Sequence, residues 1–133
     1  MPVITHGEQV LLALEPRPES AGLVRRALGA RAMSEDVAHT AALLATEVVG
    51  NAVRHAGMDS AERIVFFATV SDGVVRIQVA DAGPGFDPES VQTEGYGLRL
   101  LDSLASRWGV DSGDRGCRVW FEVDPRRPLA YAG

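Results

Sequence analysis

The chain has 133 residues, 46% hydrophobic and 23% charged, with thirteen basic residues against eighteen acidic ones and a net charge of −5. That length holds one domain around a single core, the composition is that of a folding chain, and the acidic balance argues against coating nucleic acid or an anionic membrane. All thirteen cations are arginine, which excludes a lysine-dependent phosphate loop and Schiff-base chemistry, and the lone Cys117 excludes an intramolecular disulfide or a thiolate zinc cluster.

No basic leader or cleavage site precedes the apolar residues 10–14, which are too few to cross a membrane, so a cytoplasmic protein is expected. Residues 8–14 read as a first strand, stopped by Pro16 and Pro18. From Pro18, the turn-by-turn spacing of Ala21, Val24, Leu28 and Ala32 predicts an amphipathic helix whose stripe faces either its own sheet or a second copy. Ser34 followed by Glu35 and Asp36 is an N-cap with acids at the positive helix end, and Gly57 is a stop, so a second helix is expected over 35–56.

Residues 63–70 and 74–80 are β-rich and separated by Ser71, Asp72 and Gly73, an antiparallel hairpin. Residues 81–97 break regular structure with glycine and proline. Leu98, Leu101, Leu104 and Ala105 restore helical spacing, with Gly109 expected to end that helix, and a last strand follows over 117–123. The order predicts an α+β fold: a two-layer sandwich of a mainly antiparallel mixed sheet with helices on one face, over 1–124, and a poorly ordered tail over 125–133.

The chemistry concentrates in the second helix. Val37, Ala41, Leu44, Ala45, Val48 and Ala52 share one face, bordered by a stripe of Thr40, Glu47, Asn51 and Arg54. Glu47 and Asn51 are one turn apart, where a carboxylate could accept a proton and a carboxamide oxygen could bind a hard cation; a solvated helix edge has the same appearance. Asp81 with Gly83 and Gly85 puts a carboxylate at a strand end beside glycines that let a ligand approach, or simply marks a turn. Gly95, Tyr96, Gly97 and Leu98 open the third helix with free backbone N–H groups at its positive end, which suits phosphate; the glycine spacing is not a dinucleotide fingerprint.

Taken in order, TEVVGNAVRHAG, DAGPGF and EGYGLRLLDSLASRWGV resemble the N box and the two glycine boxes of the GHKL (Bergerat-fold) ATP-binding superfamily. Arg107-Trp108-Gly109-Val110 and Gly116-Cys117-Arg118-Val119-Trp120 are similar to stand-alone anti-sigma regulatory factors with serine/threonine kinase activity. The resemblance implies ATP and Mg²⁺ as cofactors, Asn51 as metal ligand, Glu47 as general base, Asp81 on the adenine amino group, and Gly83 and Gly85 shaping its pocket. It also places Gly95, Gly97 and Leu98 at the phosphates, with Arg54 and His55 at the pocket mouth, although the angle of His55 equally suits a core histidine. Implied partners are a sigma factor and a STAS-type anti-anti-sigma protein, with no direct nucleic acid, no membrane and a homodimer. The alternatives are a nucleotide-binding sequestration module without kinase activity and a histidine-kinase-like ATPase subunit. Two positions depart from the pattern: Tyr96 stands where these factors often carry arginine, and Glu94 adds a like charge beside the phosphates. Cys117 reads as a small hydrophobe of the last strand.

Overall fold

Residues 8–29, 33–55, 63–81, 97–113 and 116–126 are described in the structure, a computed structural model. Strands β1 (Glu8–Leu14), β2 (Ile64–Ser71), β3 (Val74–Asp81), β4 (Arg107–Gly113) and β5 (Gly116–Val123) form one sheet in the order β1-β2-β3-β5-β4. Each pairing is antiparallel. In the β2–β3 hairpin Ser71 faces Val74, and Asp72 and Gly73 turn with φ of 54° and 79°. Two successive left-handed residues are what a tight primed turn requires, and Asp-Gly adopts them at low cost.

Alternation decides which face is covered. Ile64, Phe66, Ala68 and Val70 of β2, Val75, Ile77 and Val79 of β3, and Val119, Phe121 and Val123 of β5 are buried. Above them lie helices α1 (Ser20–Gly29), α2 (Glu35–His55) and α3 (Gly97–Leu104). Helix α2 packs on β2, β3 and β5, while α1 and α3 pack against α2. The expected apolar face of α2 is buried in full, and Val24 and Leu28 of α1 are buried with it, so the α1 stripe faces its own core. On the other side of the sheet, Arg76 stacks over Trp120 at 4.4 Å from the ring centroid and pairs with Glu122 at 2.7 Å.

Ser34 caps α2, its Oγ accepting the Val37 N–H at 3.3 Å, with Glu35 and Asp36 in the first turn. Helix α1 begins two residues later than the proline-initiated expectation. The Arg17 N–H and the Ser20 hydroxyl both donate to the Glu15 carbonyl, at 2.7 and 2.6 Å, so Pro18 and Glu19 belong to a closed turn.

Gly109 does not end the third helix. Helix α3 stops at Leu104, and the chain at once joins the sheet: the Ser106 N–H donates to the Glu122 carbonyl at 2.8 Å and the Ser106 Oγ accepts the Asp124 N–H at 2.9 Å. Gly109 lies inside β4 opposite Trp120, where a Cβ would come within 2.6 Å of the indole Nε1. The glycine is there because a ring occupies the space of its missing side chain. Of the tail, 125 and 126 are described, with Arg126 bonded to Asp124 through its N–H at 2.9 Å; 127–133 lie outside the described residues, as do Ala32 and Gly57.

Candidate functional site

Helix α2 places three of the expected residues on one edge. Its apolar face is held down by the core, so the adjoining stripe is fixed in angle: Glu47 is half-buried, Asn51 is buried with 8% exposure, and Arg54 is exposed. A buried carboxamide needs hydrogen-bond partners. The Asn51 Oδ1 accepts a hydrogen bond from Arg54 Nη2 at 2.5 Å. Because a guanidinium only donates, this contact shows that the carboxamide turns its oxygen, and not its nitrogen, toward a cation. Gly50 lies beside the guanidinium, where a Cβ would stand 3.3 Å from Arg54 Nη1.

Asp81 ends β3 and is buried on the helix-covered face, in register with Ile64 on one side and Cys117 on the other. Helix α2 packs on β3 from that same side of the sheet. Cys117 is also buried. Its thiol is pushed up to about 12, first by burial and then by the carboxylates of Asp81 and Asp111. It is thus a neutral neighbour of Asp81 and not a nucleophile, as the sequence suggests.

Gly97 opens α3 as expected. Gly83, Gly85, Glu94, Gly95 and Tyr96 lie outside the described residues, as do the side chains of His55 and Leu98. The sequence reading overlooked Gly50, the closure of Arg54 on Asn51, and the pairing of Cys117 with Asp81. The first two had a signal: i, i+3 spacing puts Arg54 over Asn51 and i, i+4 spacing puts it over Gly50. The third depends on strand register and had none.

Among the described residues no cluster of three or more His, Cys, Asp or Glu could hold a metal ion. A divalent cation at Asn51 would take one carboxamide oxygen from the protein and the rest from a ligand and water, a donor set that suits Mg²⁺ with a phosphate chain. The oxygen of Asn51, already facing a cation, fits that role.

The profile of the histidine kinase-like ATPase domain family matches residues 14–123, and the chain belongs to that family. Among solved structures, the chain is similar to the RsbU and RsbW domains of Rv1364c from Mycobacterium tuberculosis, at 22% identity and a TM-score of 0.69, covering 90% of this chain and 34% of that one. It is also similar to the histidine kinase domain of a blue-light activated histidine kinase from Erythrobacter litoralis, at 20% identity and a TM-score of 0.55, covering 92% of this chain and 69% of that one. At these identities the likeness is one of fold, and the chain spans about a third of the length of the mycobacterial protein. No curated protein matches. Membership of the family implies ATP binding; among the described residues no helix is long and apolar enough to cross a membrane.

Proposed function

We propose that the protein binds Mg-ATP and transfers its terminal phosphate to a serine or threonine of a STAS-type protein, and that it holds a sigma factor when that partner is absent. The observation that carries the nucleotide half is the buried Asn51, its oxygen turned to a cation, one turn from a half-buried carboxylate at Glu47. Asn51 would hold Mg²⁺, which would supply charge neutralisation at the phosphates. Glu47 takes the proton of the attacking hydroxyl, Asp81 accepts the adenine amino group, and Gly83 and Gly85 let the base approach. Gly95, Gly97 and Leu98 receive phosphate at the start of α3, with Arg54 and His55 at the mouth. Phosphoryl transfer depends on positioning and charge neutralisation, so a small set of groups suffices.

The anti-sigma half is supported by the similarity of the segments around Trp108 and Trp120 to such factors and by the fold shared with a protein that contains an RsbW domain. On this reading the protein is cytoplasmic and homodimeric and touches no nucleic acid directly.

The test is calorimetry with ATP and magnesium, followed by phosphotransfer to candidate STAS proteins. Asn51→Ala should weaken magnesium-dependent ATP binding. Glu47→Gln keeps size and hydrogen bonding but removes the base, so phosphotransfer should fall by about 10²-fold or more with ATP affinity little changed. Absence of binding at near-millimolar ATP rejects the nucleotide site; binding without transfer to any STAS protein leaves the sequestration module.

A further inference from the structure

We infer that Arg54 is a positioning residue that occupies the metal-ligating atom of Asn51 in the nucleotide-free protein and so sets how strongly ATP binding depends on magnesium. The inference rests on the nucleotide reading above and deepens it. Three observations meet at one atom. The Asn51 side chain is buried, and its Oδ1 is the oxygen that a divalent cation would use. The guanidinium of Arg54 donates to that same oxygen at 2.5 Å. Gly50 adjoins the guanidinium, since a Cβ at that position would lie 3.3 Å from Nη1 and 4.0 Å from both Cζ and Nη2, so a larger side chain there would compete for its place.

A carboxamide oxygen has two lone pairs, but two cations on one oxygen stand only a few ångströms apart and repel one another. A divalent ion that takes Oδ1 therefore displaces Arg54. Since Arg54 is solvent-exposed, leaving costs it little desolvation, and the phosphates of an arriving nucleotide offer it a new anionic partner. The resting contact has two consequences. It orients the carboxamide oxygen outward before any ligand arrives, and it imposes a competition that metal has to win. Where magnesium is scarce, the contact persists and nucleotide binds without help from Asn51.

Gly50→Leu separates the contact from the charge. A Cβ alone, 3.3 Å from Nη1, asks the flexible arginine to give only a few tenths of an ångström, whereas a branched leucine fills the space beside Gly50 and moves the guanidinium off Oδ1 while keeping the arginine; leucine also favours the helix over glycine, so the fold is retained. Arg54→Met removes both donor and charge while keeping a stem of similar length. ATP affinity is measured by calorimetry for wild type and both variants, once with excess magnesium and once with chelator.

The ratio of the two affinities should rise about threefold to tenfold in Gly50→Leu, through tighter binding with magnesium and with no weakening in chelator. In Arg54→Met binding in chelator should change little, because there the arginine stays on Asn51, and the ratio should rise less than in Gly50→Leu, because with magnesium the phosphates lose the cation that the displaced arginine supplies. In the nucleotide-free protein, the NMR signals of the Asn51 side-chain amide should shift in both variants. A ratio unchanged or lowered in Gly50→Leu, with wild type binding ATP normally, overturns the inference and leaves the nucleotide site standing. Wild-type protein that binds no ATP in either condition overturns both.

Discussion

Single side chains here take their chemistry from what sits within a few ångströms. Asn51 is a hydrogen-bond acceptor for a cation because Arg54 lies one turn on. Cys117 shows the opposite effect of surroundings. Burial and the carboxylates of Asp81 and Asp111 hold its thiol up at about 12 against an ordinary value of 9.0, so the folded protein keeps a proton that the unfolded chain releases. The stability this contributes is complete below pH 9.0 and is lost as pH rises toward 12, because a raised folded value means the folded state binds more protons in that window. Urea melts at pH 8 and pH 10.5 should therefore show wild type losing on the order of 1–2 kcal/mol relative to Cys117→Ala at the higher pH, since the other titrating groups are common to both. The native thiol should resist a disulfide reagent at pH 8 and react on unfolding. Equal pH dependence in the two proteins would mean that the thiol titrates normally.

Strands and helices are placed by steric fits that a residue type alone does not announce. Gly109 looks like a helix stop in a linear reading, yet it lies in β4 because Trp120 of β5 leans across it with Arg76 stacked on the ring. Replacing it should be costly despite the gain in chain stiffness: Gly109→Ala puts a methyl group 2.6 Å from the indole Nε1, and relief requires the ring to move off both the strand and Arg76. A loss of about 1–3 kcal/mol in denaturant unfolding is expected. Gly109→Ala combined with Trp120→Leu should recover part of that loss. If the single variant is as stable as wild type, the ring does not depend on the glycine.

At the level of assembly, the two faces of the sheet differ in kind. The helix-covered face carries the core and Asp81, and the other presents Leu11 at 69% exposure, paired with Phe67, and Val65 at 43%, between Ala13 and Ala80. The proposed homodimer predicts a light-scattering mass near two chains at micromolar concentration, and co-purification with a sigma factor that a STAS protein displaces. A mass of one chain together with failure to retain any sigma factor would remove the dimer and the anti-sigma reading while leaving the family and its nucleotide site.

Much of this was legible in the linear chain because periodicity is a local property. The apolar face of α2, the Ser34 cap and the Asp-Gly hairpin follow from 3.6- and two-residue spacing and from the left-handed tolerance of two residues. For the same reason Glu47 and Asn51 were identifiable as neighbours, since four residues along a helix is one turn. Folding settled what depends on contacts between distant segments. The register that sets Cys117 against Asp81 and Trp120 against Gly109 arises from the pairing of β5 with both β3 and β4, and no spacing within one strand encodes its partner. The closure of Arg54 onto Asn51 lies between the two cases: helical spacing permitted it, but only the folded side chains chose it, because burial of Asn51 left its oxygen in need of a donor.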